Sequence, residues 1–272
     1  MEEMFCYQCE QAANGTGCTK IGVCGKKPDA AALQDLIVWG LKGMSFWAHM
    51  AREKGAFDRD IDVHLVEALF STVTNVDFDP ENLSKVAEKT VDMRDRAKTM
   101  FEKANGEPFA GDVPEAAQDW QIPGSIAQMI ELGRQHGVKE PSIDPDVKSA
   151  QDILLYGCKG MSAYTDHAHI LGRDDDEIYG FLHKALASIL DRNLGLMDYV
   201  NLAMECGKMN IKGMGLLNEA HTDAYQHPVP TPVNIGTKAG KGILVSGHDM
   251  RMLEELLKQT EGKGINIYTH VE

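Results

Sequence analysis

The feature that most constrains this chain is a segment written twice. Gln34-Asp35-Leu36-Ile37-Val38-Trp39-Gly40-Leu41-Lys42-Gly43-Met44-Ser45 recurs as Gln151-Asp152-Ile153-Leu154-Leu155-Tyr156-Gly157-Cys158-Lys159-Gly160-Met161-Ser162, 117 residues further on. Every difference exchanges one apolar residue for another of similar role, the trace a duplicated core-facing helix would leave. The residues beyond each copy also correspond. After the first come a turn at Lys54-Gly55, an apolar 3-4 pattern through Ile61, Leu65, Leu69 and Val73, then Pro80 and a long run carrying Leu83, Val86, Met93, Ala97 and Met100. After the second come Gly172, an acidic run Asp174–Glu177 suited to a helix N-terminus, and Ile178, Leu182, Ala185 and Ile189. A last helix runs roughly over 197–220, and its methionine stripe with Val200, Met204, Ile211 and Met214 reads as core rather than cofactor box.

The fold class is therefore mainly α and multidomain, with tandem three-helix bundles over residues 29–104 and 147–226. Between them, residues 105–146 carry Pro108, Pro114, Pro123, Pro141 and Pro145 and one short helix near 125–136, and read as a connector. Gly40, Gly43, Gly157 and Gly160 sit inside helices at a cost of about 1 kcal/mol each relative to alanine, which suggests another backbone passing close, with plain close helix packing the better reading. Past Tyr225, His227-Pro228-Val229-Pro230-Thr231-Pro232 cannot be helix. Behind it, Gly242–Ser246, residues 249–260 and Gly264–Tyr268 read as strand, amphipathic helix and strand, one βαβ unit. Parallel strands need neighbours and two covered faces, so residues 227–272 read as an α/β domain cut short.

Four of the six cysteines fall in residues 1–28, as Cys6, Cys9, Cys18 and Cys24 in the spacing C-x2-C-x8-C-x5-C, with Gly15, Gly17, Gly22 and Gly25 interleaved. Glycine lets a short loop wrap a compact object and aim backbone N–H groups at its sulfurs. Four thiolates on one loop suit a 4Fe-4S cube. Zinc also accepts four thiolates, but zinc ribbons present two C-x2-C knuckles, and a zinc-stabilised helical scaffold stands as the alternative. Cys158 and Cys206 stand alone within helical patterns and read as buried hydrophobes. His248 lies two residues beyond the first strand and Glu272 four beyond the second, so a parallel βαβ unit brings both to one ligand-binding rim. An N-terminal flank of a helix capped by Asp249 and an ordinary acidic terminus account for the pair equally well.

A formal net charge of -14 argues against nucleic acid or anionic membrane as partner. No stretch approaches the ~20 apolar residues of a membrane span, and Met1-Glu2-Glu3-Met4 is acidic where a secretory signal is basic, which reads as a cytoplasmic protein.

Taken together, Met4-Phe5-Cys6-Tyr7-Gln8-Cys9-Glu10-Gln11 with its cysteine spacing, Leu155–Gly160, His227–Thr231, Gly242–Asp249 and Gly264–His270 resemble the hybrid-cluster (prismane) proteins, also called hydroxylamine reductases. The resemblance runs the length of the chain. It implies two three-helix bundles followed by Rossmann-like α/β domains. It also implies a 4Fe-4S cluster on Cys6, Cys9, Cys18 and Cys24, near a hybrid 4Fe-2O-2S type cluster to which His248 and Glu272 would be iron ligands. Electrons from a redox donor protein would pass through the first cluster to the second, where hydroxylamine, or nitric oxide, would be reduced. Members of the family are much longer and take their remaining hybrid-cluster ligands from segments absent here. The chain is thus expected to be a fragment, or an N-terminal half whose C-terminal half is a separate chain, or an electron-transfer or assembly module that needs a second chain.

Overall fold

Proline and aspartate at helix starts and glycine at helix ends set the elements. The structure is a computed structural model, and it describes residues 4–73, 75–139, 143–247 and 250–270. Its helices are α1 (Pro28–Glu53), α2 (Arg59–Ser71), α3 (Pro80–Asn105), α4 (Ile126–Gln135), α5 (Pro145–Ile170), α6 (Asp176–Ser188), α7 (Leu196–Tyr225) and α8 (Met250–Thr260), with strands β1 (Lys241–Ser246) and β2 (Ile265–His270). Pro28, Pro80 and Pro145 begin α1, α3 and α5, where a missing N–H costs nothing. The carboxylates of Asp58, Asp79, Asp144 and Asp175 accept hydrogen bonds from the first-turn N–H groups of α2, α3, α5 and α6. Just past α1 and α5, Gly55 and Gly172 take φ of 79° and 81°, a left-handed turn that only glycine adopts cheaply.

The duplication extends beyond the segment that betrays it. α1 and α5 are 26 residues each and begin and end 117 residues apart; α2 and α6 are 13 residues each at the same offset. α3 and α7 begin 116 apart. Within each repeat the two long helices pair, α1 with α3 and α5 with α7. The short helix does something else: α2 lies chiefly on α5, and α6 chiefly on α1. Each repeat thus lends its short helix to the other, and the compact unit that results ends at Gln226. A buried polar network locks the exchange. His183 of α6 contacts Ser45 Oγ of α1 through Nδ1 at 3.2 Å and Asp62 Oδ1 of α2 through Nε2 at 3.1 Å, and Arg52 of α1 donates to the same carboxylate. Burial by itself would raise the Asp62 carboxyl, but His183 and Arg52 hold it below the usual range, while burial pushes His183 down and keeps it neutral.

The connector is a working surface. A Cβ placed on Gly43 would lie 1.9 Å from the Ala116 carbonyl oxygen, so backbone does pass against α1 there. Trp47 Nε1 donates to Ala117 O at 2.8 Å, Trp120 Nε1 to Ala116 O at 3.0 Å, and Arg94 Nη2 of α3 to Trp120 O at 2.9 Å. Gly40 and Gly157 show the close helix packing that the sequence favoured, and Gly160 does not. Gly40 meets the Thr90 methyl and Gly157 the Cys206 sulfur, side chains of the paired helix, and Gly160 faces open space. The methionine stripe of α7 is a second correction. Met204, Ile211 and Met214 are exposed, because among the described residues no element of this unit lies over that side of the helix.

The second unit begins at His227. In it β1 and β2 are parallel, in register from Lys241 opposite Ile265 to Ser246 opposite His270, with α8 connecting them. Among the described residues no helix is long and apolar enough to cross a membrane.

Two glycine substitutions and one titration test this packing. Gly43→Ala should lower stability by about 1–3 kcal/mol in urea unfolding, because the methyl must displace backbone. Gly160→Ala, in open space, should raise it by up to about 1 kcal/mol. Burial pushes His64, which contacts Thr90 Oγ1 at 2.9 Å, down to about 3. Above pH 6.5 this costs nothing; below it the unfolded chain takes the proton first, so stability falls as pH drops towards the folded value. By pH 5 the His64 contribution to the loss is about 2 kcal/mol, and His64→Gln should flatten the pH dependence by that amount.

Candidate metal centre

The cysteine loop is folded by its own backbone before any metal enters. Cys6 and Cys18 face each other across an antiparallel bridge, Cys6 N donating to Cys18 O at 3.1 Å and Cys18 N to Cys6 O at 2.8 Å, with Met4 N to Thr19 O at 3.3 Å beside it. Between them the chain turns through a short 3-10 segment at Ala13–Gly15. Gly17, at φ 149°, lies so close under the Phe5 ring that a Cβ would come within 2.6 Å of it. Around Cys24 a tight turn is closed by Gly25 N to Gly22 O and Gly22 N to Lys26 O, both 2.8 Å, and α1 starts immediately after. The loop therefore sets Cys6 opposite Cys18 and places Cys24 in the turn that leads into α1. Cys18 is buried, and Cys6, Cys9 and Cys24 are half-buried.

The underside of the loop is clamped by one stripe of α5. Asp152, Tyr156 and Lys159 are spaced to share a helix face, and all three reach the two residues between Cys6 and Cys9. Tyr7 Oη donates to Asp152, which also accepts from Lys148. The Tyr7 ring meets Tyr156 edge-on at 6.0 Å, and Lys159 Nζ donates to Gln8 Oε1 at 3.1 Å. Burial, reinforced by Asp152, pushes the Tyr7 phenol well above its ordinary value, and burial does the same to Tyr156.

Polar groups point at the sulfurs. Ala13 N donates to Cys18 Sγ at 3.4 Å, and Lys26 Nζ, buried, lies 3.9 Å from Cys6 Sγ. Lys159 is buried too. Among the described residues neither ammonium forms an ion pair with a carboxylate; Asp35 pulls on Lys159 only from a distance. Burial and the neighbouring charge of Lys26 push Lys159 down to about 7, and burial pushes Asp35 up to about 7 against the pull of Lys159, Lys26 and Lys42. Two buried amines beside the cysteine loop, with no carboxylate in ion-pair contact and only the distant pull of Asp35, fit a bound group that is anionic and sulfur-ligated.

Among the described residues no three of His, Cys, Asp and Glu converge closely enough to grip a single ion. His248 and Glu272 lie outside the described residues. Nearby, Ser246 and His270 stand opposite each other at the ends of the two strands, with Ser246 Oγ 3.3 Å from His270 Nδ1. Cys158 and Cys206 are buried as free thiols that hydrogen-bond each other across α5 and α7, away from the ligand role, as the sequence suggested.

Sequence reasoning missed Tyr7, Gln8, Lys26, Asp152 and Lys159 as builders of the site. A signal existed: an aspartate and a lysine retained inside an apolar repeated helix mark groups with buried partners. Loss of the clamp should loosen the loop without unfolding the bundle. Asp152→Ala should speed proteolytic cutting within residues 5–26 of the metal-free protein, with the far-ultraviolet helical signal unchanged.

The sequence matches the Prismane/CO dehydrogenase family over residues 4–272. It is 56% identical over 272 residues to a hydroxylamine reductase of Geobacter sulfurreducens, covering 99% of this chain and 50% of that one. It is 53% identical over 272 residues to a hydroxylamine reductase of Geobacter metallireducens, and 49% over 270 residues to one of Syntrophobacter fumaroxidans, each covering 99% of this chain. The chain spans about half the length of the curated relatives it matches, 50% of the second and 49% of the third.

Proposed function

The chain belongs to the Prismane/CO dehydrogenase family, and from that premise we propose that it is the amino-terminal part of an iron-sulfur oxidoreductase that reduces hydroxylamine to ammonia, nitric oxide being the other candidate substrate. Cys6, Cys9, Cys18 and Cys24 hold a 4Fe-4S cluster, and His248 and Glu272 are two ligands of a hybrid 4Fe-2O-2S type cluster whose other ligands come from polypeptide beyond this match. α1–α3 and α5–α7 are the family's two three-helix repeats, and β1-α8-β2 opens a Rossmann-like domain. The protein works in the cytoplasm with a redox donor protein. The observation that carries this reading is the cysteine loop itself: four free thiols in one short folded segment, beside two buried lysines that form no ion pair among the described residues.

When bound, such a cluster accepts and passes single electrons. What the chain's own residues contribute is position and charge. The Cys6–Cys18 bridge fixes one edge of the site, and the Tyr7–Asp152 and Gln8–Lys159 contacts hold the residues between Cys6 and Cys9. Lys26 and Lys159 offset negative charge, and a cation near a redox group favours its reduced form. Reduction of hydroxylamine breaks its N–O bond and releases ammonia and water, taking up electrons and protons. That chemistry needs a complete ligand cage.

A second reading treats this chain as an electron-transfer or assembly module that docks on a separate polypeptide, because the curated relatives carry as much polypeptide again beyond the span it matches. Both readings predict a brown protein that contains iron and acid-labile sulfide. Cys18→Ser should bleach the visible absorption while leaving the helical signal largely intact. A colourless protein carrying zinc would overturn both. Joined with the remaining polypeptide, the loaded protein should consume hydroxylamine when supplied with a reduced dye, and the chain alone should not.

A further inference from the structure

We infer that the outer face of α5 and α7 is a docking surface for the polypeptide that the longer relatives carry beyond the span matched by this chain. The inference deepens the reading above and rests on its claim that the complete protein includes such a polypeptide.

The internal repeat makes the comparison possible, because the first copy shows what its twin lacks. On α1 the stripe Ala32, Leu36, Gly40, Gly43 and Trp47 is buried under the connector and α4. The corresponding α5 stripe is Ser149, Ile153, Gly157, Gly160 and Tyr164, and it is open. Leu36 is 1% exposed and Ile153 64%; Trp47 is 1% exposed and Tyr164 38%. Gly43 lies against the Ala116 carbonyl, whereas nothing stands within 4 Å of a Cβ on Gly160. The two repeats do superpose at this point: Gly40 meets Thr90 and Gly157 meets Cys206, residues 116 apart on the paired long helices, the offset at which those helices begin.

The paired helix carries the same contrast in its chemistry. At that offset the charged Glu88, Asp95 and Lys98 of α3 become Met204, Ile211 and Met214 of α7, and Met204 and Ile211 are 66% and 68% exposed. In the first copy Lys98 pairs with Asp119 of the connector at 2.7 Å; in the second the equivalent position offers an apolar side chain. Arg94 donates to the connector at Trp120 O, and its counterpart Asn210 has a buried Oδ1 with no hydrogen-bond partner among the described residues. Solvated charges at these positions in one repeat and large apolar groups in the other mark a face meant to be covered.

The first copy also shows the occupant's chemistry. It is an extended segment that lays backbone against Gly160, brings an apolar or aromatic group to Ile153 and Tyr164, and offers a donor to Asn210. The relatives have the polypeptide to supply it, since this chain accounts for only 50% of their length. Methionine suits such a surface because its flexible, polarisable side chain moulds to a partner.

The test co-expresses the full chain with the half of the Geobacter sulfurreducens relative that lies outside the match. Association is followed by light scattering and amide hydrogen exchange, and iron and acid-labile sulfide are assayed separately, so that a failure to dock and a failure to hold a cluster read differently. A one-to-one complex is expected, with slowed exchange in α5 and α7. Met204→Glu combined with Ile211→Asp, the residue types of the first copy, should weaken the complex at least about tenfold without lowering the melting temperature of the chain alone. Gly160→Ala should also weaken it. The proposal is overturned by no complex, by a complex indifferent to these substitutions, by self-association of the chain through this face, or by slow exchange there already in the chain alone.

Discussion

The short-helix exchange is the constraint on which the amino-terminal unit depends. Neither repeat can bury its long helices alone, because the surface that α2 would cover in its own repeat is taken by α6, and the reverse. Exchanges of this kind need a point that fixes register, and His183 provides it. Its ring is buried and reaches Ser45 of the first helix and Asp62 of the second at once. An apolar residue of the same size would fill the space but leave the Asp62 carboxylate with one fewer partner, and a buried, underpaired charge costs several kcal/mol. The serine, histidine and aspartate resemble a hydrolytic relay in type. All three are buried, however, and the arrangement serves as a fastener between repeats.

From that frame the cysteine loop gains a floor. A glycine-rich loop of this length has little apolar surface to bury, so its order must come from hydrogen bonds and from what it leans on. The ladder at Cys6–Cys18 supplies the first, and the α5 stripe supplies the second. The placing of Lys26 and Lys159 is expensive in a metal-free protein, since buried ammonium groups lose hydration and repel each other. The drop of Lys159 to about 7 expresses that cost. An anionic cluster would offset it, so the site is least comfortable empty, and binding and local folding become linked.

Much of the fold was legible in residues that repeat or cap. The offset of 117 related four helices, α1 to α5 and α2 to α6, and Pro80 and the acidic run Asp174–Glu177 lie at the starts of α3 and α6. The exchange of α2 and α6 was not legible, because periodicity states which face of a helix is apolar and is silent on which neighbour covers it. The α7 stripe failed for the same reason: exposed methionines and core methionines have one spacing. At the site, the cysteines announced themselves by clustering, whereas Lys159 and Asp152 were hidden inside a repeat read only for its apolar residues. Gly43 and Gly160 carried identical sequence signals, yet one meets backbone and the other open space.

Duplication explains why that last distinction could arise. A repeated helix begins with the same side chains on the same faces, and the copies diverge by what the rest of the chain brings to them. Asp35, Trp39 and Lys42 of α1 correspond to Asp152, Tyr156 and Lys159 of α5. In the first copy Trp39 stacks on His136 at 3.7 Å and on Trp120 at 4.5 Å, so the stripe anchors the connector. In the second the equivalent stripe grips the residues between two cysteines. One face of the ancestral helix thus came to hold the connector in one repeat and the cysteine loop in the other. Lys159, the buried lysine of the pair, has a polar destination at Gln8, and a buried lysine survives only where it has one.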